Sequence, residues 1–237
     1  MISHVNCMLQ ENLMTKPVYL AFDIDGTIYD AGNILEEAFA EAVASLVKSG
    51  DYGDIKAPSR EAITATLGYP LEKICLMLFP EQGEEARSYL SLRWTENLVS
   101  LIRQKKGELI AGVEETIPLL YNYGYRLLVA SNGAMAYVEA ILETYDLKRY
   151  FSKPFLYAEG EIRNKTDIVA RYLKELDYYK IIMIGDRLTD LDAARVNSIP
   201  FIGCAFGHAG EDEIAGEKYI IHDFREMSGV LEEIMNK

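Results

Sequence analysis

From Gly112 onward the chain switches repeatedly between two hydrophobic patterns, and that alternation leaves few folds open. VEETIPLLYNYG has helical spacing, RLLVASN reads as a strand, and AMAYVEAILETY is again helical. KPFLYA follows as a strand, KTDIVARYLKELD as a helix and KIIMIGD as a strand. LDAARVNS reads as a helix, PFIGCAF and KYIIHD as strands, and FREMSGVLEEIM as a closing helix. Short continuous apolar runs are strands buried on both faces, and their alternation with helices means a parallel sheet covered on both sides. One similar run, Val18-Tyr19-Leu20-Ala21-Phe22, stands far upstream and belongs to the same sheet. Between them the texture is helical. Ile34 to Lys48 carries Ile34, Leu35, Ala38, Ala42, Leu46 and Val47 at helical spacing. Pro70 starts LEKICLMLF, and Glu84 to Lys105 is long and amphipathic, with Gly107 closing it.

The expected architecture is therefore a Rossmann-like α/β core with an inserted all-helical domain. Residues 16–31 and 109–237 form the core, and 32–108 form the insertion. Residues 1–15 form an extension outside the fold, and Met14, which begins MTKPVYLAFDIDGT, is an alternative start. An all-helical insertion on a loop at the sheet's C-terminal edge would lie over that edge. It would act as a lid and as the source of specificity.

At that edge the first strand ends in Asp23-Ile24-Asp25-Gly26-Thr27. Open α/β sheets place ligands at the carboxyl ends of their strands. An ionised acid is too costly to bury unpaired, so carboxylates here are not core residues. Acids two apart on a strand point the same way, which suits a shared Mg²⁺ with one oxygen free to attack phosphorus. An EF-hand reading of DxDG fails, because with Gly26 at loop position 6 the end positions would be Ala21 and Gly32, neither of them an acid. An ordinary Asp-Gly turn stays open for the motif taken alone.

Three later motifs fall where strands end or a helix begins. Ser131-Asn132-Gly133 follows an apolar strand, and a hydroxyl plus backbone N–H groups at a helix start can cradle a phosphate. By itself it reads more readily as a cap without ligand. Lys165 opens a helix, where its charge opposes the dipole and would be better placed on a phosphate or carboxylate. By itself it reads as a solvated lysine. Ile184-Gly185-Asp186 ends a buried strand, with Asp190 four residues on, where it could simply cap the next helix. Together the stations supply a nucleophilic acid, a second acid, a hydroxyl, a cation and a metal-binding acid on one sheet edge. That is what phosphoryl transfer through an aspartyl-phosphate needs.

The charge balance narrows the partners. Lys and Arg number 24 against 37 Asp and Glu, a net charge of −13, which disfavours nucleic acid and anionic membranes. No apolar run is long enough to span a membrane, and the first dozen residues lack the pattern of a signal peptide. Cys7, Cys75 and Cys204 are widely spaced without a CxxC, which points to a reducing cytoplasm and no zinc site. His4, His208 and His222 lack metal spacing, and His208 reads as a surface residue. Trp94 reads as core of the helical insertion. Lys56, Arg60, Lys73, Arg93 and Tyr69 are candidate substrate contacts within it, and Arg187 either touches substrate or seals the insertion against the core.

DxDGT, the Ser-Asn pair after the second core strand, the lysine and GDxxxD stand in an order that resembles the haloacid dehalogenase superfamily from about residue 16 onward. The helical insertion is similar to that family's small cap, and IGCAFGHAGEDEIAGEKYIIHDFREM resembles the last-strand loop of its phosphoglycolate-phosphatase-like branch. The resemblance implies a Mg²⁺-dependent phosphatase acting on a small phosphorylated metabolite, as a monomer or homodimer. It implies Asp23 as nucleophile and Asp25 as general acid and base. Mg²⁺ would be held by Asp23, the backbone carbonyl of Asp25, and Asp186, with Asp190 in support. Ser131, the backbone near Asn132, and Lys165 would bind the phosphoryl group. Asp25 is an acid where a dehalogenase has none, and GYPLE at 68–72 lacks the arginine expected of a beta-phosphoglucomutase. The runner-up readings are a phosphotransferase or mutase using the same intermediate, and a 5'-nucleotidase-type phosphatase. A receiver-like signalling module would need neither Asp25 nor the insertion.

Overall fold

The computed structural model describes residues 16–32, 34–50, 52, 55–158, 160–208 and 212–236. The expected extension at 1–15, with Cys7 and His4, lies outside these residues. Five parallel strands form the main sheet, in the order β4-β1-β5-β6-β7. They are β1 (Val18–Phe22), β4 (Arg126–Val129), β5 (Lys180–Gly185), β6 (Phe201–Cys204) and β7 (Ile220–Ile221). The first strand in the chain is thus interior, flanked by β4 on one side and β5 on the other. The strand order reverses at β1, and open α/β sheets bind ligands at such switch points.

Alternate residues of the strands feed two separate cores. Leu20, Phe22, Leu127, Val129, Ile182 and Ile184 pack on one face, while Ala21, Leu128, Ile181 and Met183 pack on the other. Burial on both faces explains why these strands read as unbroken apolar runs. The first face is covered by α5 (Val113–Asn122), α6 (Met135–Thr144) and α9 (Met227–Met235), the second by α7 (Lys165–Glu175) and α8 (Leu188–Val196).

Between β1 and α5 the chain leaves through β2 (Tyr29–Asp30) and returns through β3 (Glu108–Leu109), which pair antiparallel as a two-stranded stem. Among the described residues four helices lie between them: α1 (Ile34–Ser49), α2 (Arg60–Thr64), α3 (Leu71–Leu78) and α4 (Glu84–Arg103). Their cohesion follows from the helical spacing. Leu35, Ala38, Phe39, Ala42 and Leu46 bury one stripe of α1 against Leu90, Trp94 and Leu98 of α4. Phe39 and Trp94 stack with ring centroids 4.0 Å apart, and Trp94 Nε1 donates to the Leu35 carbonyl at 3.3 Å.

One expected strand does not form. KPFLYA at 153–158 stays irregular, and only Phe151 bridges to Leu127 at the sheet edge. Pro154 has no N–H to give a ladder, so an apolar run beside it cannot continue as a strand. Among the described residues no helix is long and apolar enough to cross a membrane.

Candidate active site

The strand register gathers the acids. Phe22 pairs with Ile184 and Val129, so β1, β4 and β5 end at one level. The ladder runs one residue further, with Asp23 N–H donating to Ile184 O at 2.9 Å and Ala130 N–H to Phe22 O at 2.7 Å. Asp23, Ser131 and Asp186 therefore leave three adjacent strands side by side. The Asp23, Asp186 and Asp190 carboxylates come within 4.8 Å of one another.

Lys165 is not a solvated lysine. Its side chain is 1% exposed, and Nζ lies 3.0 Å from Asp23 Oδ1 and also holds Asp190 Oδ1. Burial opposes its charge, but Asp190 and Asp23 outweigh that and hold its pKa above the ordinary lysine value. Asn132 places this lysine from the opposite side, since its side-chain oxygen accepts the Lys165 backbone N–H at 2.6 Å. The other end of the Asn132 amide donates to Gly68 O at 2.7 Å, in the segment between α2 and α3. Asn132 thus ties the core loop to the inserted helices through its side chain, and only its backbone is left to face a ligand.

Asp186 is fully buried, and its carboxylate accepts the His208 backbone N–H at 2.5 Å and the Thr27 hydroxyl at 3.4 Å. Burial, then the neighbouring Asp23, raise its pKa to about 7. A side chain on Gly26, whose φ is +76°, or on Gly207 would run into this carboxylate. The Gly of DxDGT is therefore required both by its left-handed backbone and by the close approach of Asp186. Asp190 does not cap its helix from the N-cap position. It lies in the first turn of α8, where Oδ2 accepts the Arg187 N–H at 2.9 Å while Oδ1 holds Lys165.

Asp25 stands apart from the cluster and keeps some exposure, yet desolvation pushes its pKa up to about 7 against the pull of the Tyr137 hydroxyl, which donates to Oδ1. Tyr137, in the first turn of α6, is the contact that sequence reasoning missed. The only signal was its place one turn after Ser131-Asn132, on the helix that this loop feeds. Ser131 is buried, and its Oγ accepts the Gly133 N–H at 3.1 Å. His208 is a second correction: its side chain is only 18% exposed and packs against the site loop, so it is no surface histidine.

A cavity of about 50 Å³ opens over Asp23, Asp25 and Ser131 and runs under the inserted helices to Trp94. Tyr69 lines it. Lys73 does not line it and stacks on Tyr69, 3.7 Å from the ring centroid, and Arg93 pairs with Glu96 at 2.6 Å. Arg60 belongs to a separate surface depression with Arg187 and His208, and Lys56 is exposed. Arg187 seals rather than reaches in: Nε pairs with Glu213 at 2.9 Å and Nη1 donates to Thr64 O at 3.3 Å.

Could these residues hold a metal? The three clustered carboxylates face one lysine, so the cluster is short of positive charge, and its donors are all oxygen. That donor set suits a hard divalent cation such as Mg²⁺. Asp190 has its oxygens held by the Lys165 ammonium and the Arg187 N–H, whereas Asp186 has only a long 3.4 Å contact to Thr27 on Oδ1 and Asp23 meets Lys165 through Oδ1 alone, so Asp23 and Asp186 keep the greater ligand capacity.

A family model described as haloacid dehalogenase-like hydrolase matches residues 20–204. The protein named probable phosphatase IndB of Dickeya dadantii is 29% identical over 221 residues, 90% of this chain and 93% of that one. Phosphoglycolate phosphatase of Mesorhizobium japonicum is 24% identical over 207 residues, 82% of this chain and 85% of its own. The crystal structure of CbbY from Rhodobacter sphaeroides in complex with phosphate superposes with a TM-score of 0.74 at 23% identity, covering 92% of this chain and all of that one (100%).

Proposed function

The chain belongs to the haloacid dehalogenase-like hydrolase family and is a phosphoric monoester hydrolase; from that premise we propose that it cleaves a small phosphorylated metabolite through an aspartyl-phosphate on Asp23. The observation that carries this is the Asp23 carboxylate held at a strand end by Lys165, with Asp25 across the same cavity and turned toward it by Tyr137.

In this reading an Asp23 oxygen attacks phosphorus and the bond to the leaving alcohol breaks. Asp25 gives that oxygen its proton, so the alcohol departs neutral. Asp25, now a carboxylate, takes a proton from water as that water attacks the phosphoryl group, which frees phosphate and restores Asp23. Lys165 and the backbone N–H groups after Ser131 stabilise the charge on the phosphoryl oxygens. Mg²⁺ held by Asp23, Asp186 and the Asp25 carbonyl would supply further neutralisation of that charge when bound. The helices α1–α4 serve as the lid that keeps bulk water from the site. The free, buried Cys75 and Cys204 suit a reducing cytoplasm.

Phosphate release from a panel of phosphorylated metabolites tests the reading. Release by the wild type with Mg²⁺ should be lost in EDTA, and Asp23→Asn should cost about 10³-fold or more in kcat. Full activity in Asp23→Asn would exclude the covalent route.

A further inference from the structure

The position of Asp25 dictates where the leaving group goes. If Asp25 protonates the departing oxygen, the rest of the alcohol must occupy the space that Asp25 faces. That space is the cavity under the inserted helices, and its wall beyond Asp25 is formed by Leu35, Leu71, Ile74, Trp94, Leu98 and Tyr137. Among the described residues no Lys, Arg or His lines it. Its polar groups are largely spoken for, apart from the uncharged Tyr69 hydroxyl. The Trp94 N–H goes to Leu35 O, the Tyr137 hydroxyl to Asp25, and the Asn132 amide to Gly68 and Lys165. Thr95 donates back to Ser91 O at 3.0 Å within its own helix. The cations of this region stand elsewhere. Lys165 is on the phosphoryl side, and Lys73 and Arg163 line a neighbouring depression that also reaches Lys165 and shares only Tyr69 and Asn132 with the cavity.

We infer that the alcohol released by this enzyme is uncharged and largely apolar beyond its reacting oxygen, a conclusion that rests on the phosphatase reading above. A charged leaving group has no partner on this wall, and desolvating a carboxylate or ammonium there without one is prohibitive. The site discriminates by that missing partner rather than by shape alone. An apolar chain instead gains from each methylene it places against Leu98 and Trp94.

Three monoesters of similar size test it on the full chain with Mg²⁺: n-propyl phosphate, phosphoglycolate and O-phosphoethanolamine, with Asp23→Asn as the blank. The propyl ester should exceed both charged esters in kcat/KM by about tenfold or more. Equal or higher kcat/KM for phosphoglycolate or phosphoethanolamine overturns the leaving-group inference while leaving the phosphatase reading intact. If no ester, including p-nitrophenyl phosphate, gives Mg²⁺-dependent release, both fall. Thr95→Lys, a half-buried position on the cavity wall, supplies the missing cation. It should raise the ratio of phosphoglycolate to propyl phosphate kcat/KM by about tenfold. An unchanged ratio in a folded variant would mean that the alcohol does not meet this wall, and the inference fails.

Discussion

Lys165 opens α7 with its charge against the helix dipole, and two buried carboxylates more than offset that placement. Removing one partner of such a group costs far more than the pair itself contributes, because the remaining charges stay buried. Tyr137 acts on the opposite acid. Its hydroxyl holds one Asp25 oxygen and so orients the carboxyl toward the cavity. A hydrogen bond to a charged group is worth about 1.5–3 kcal/mol. Tyr137→Phe should therefore lower kcat by about ten- to a hundredfold with KM little changed, since the ring and its packing remain. Steady-state kinetics on the best ester decides this; a raised KM at unchanged kcat would instead make Tyr137 a substrate contact. Asp23 and Asp186 were legible because acids at the ends of apolar runs have no core explanation, and Asp25 and Asp190 only through their spacing to those two. Tyr137 was not, because an aromatic residue in a helix is ordinary and its partner lies 112 positions away.

At the level of elements, the stem of β2 and β3 carries the chain out to the helices and back. Tyr29 donates to Lys106 O at 2.7 Å, and Gly107 has φ +79° with the Tyr29 hydroxyl where a Cβ would stand. Gly107→Ala adds left-handed strain and a clash, so it should destabilise the fold by about 1–3 kcal/mol. The check is urea denaturation, with a lower midpoint at unchanged slope; an unchanged midpoint would show that the stem gives way at no cost. Sequence periodicity placed the helices of the insertion well, since α1 and α4 bury clean apolar stripes. It misplaced KPFLYA, because the apolar run outweighed Pro154, which has no N–H to give the ladder at the free edge of β4.

For the molecule as a whole, the acidic cluster exists only when the sheet is assembled. Asp23, Lys165, Asp186 and Asp190 come from three separate segments of chain. A cation held by Asp23 and Asp186 binds the folded state alone, and at a hundredfold its Kd it adds about 2.7 kcal/mol of stability. Calorimetry should find a Tm higher by about 5–10 °C in saturating Mg²⁺ than in EDTA. Asp186→Asn should erase that difference, and an equal Tm in the wild type would remove the case for a cation at this cluster.

What the sequence by itself determined is the order of strands and helices along the chain, the acids at the strand ends, and the inserted helical block. Each is a local pattern: the period of apolar residues, or the cost of a carboxylate in an apolar run. Only the tertiary structure decided that β1 lies between β4 and β5, that Lys165 is buried between Asp23 and Asp190, and that among the described residues no cation lines the wall facing Asp25. These depend on register and on which faces meet across long stretches of chain, and the burial of a charge, unlike its presence, is a property of everything packed around it.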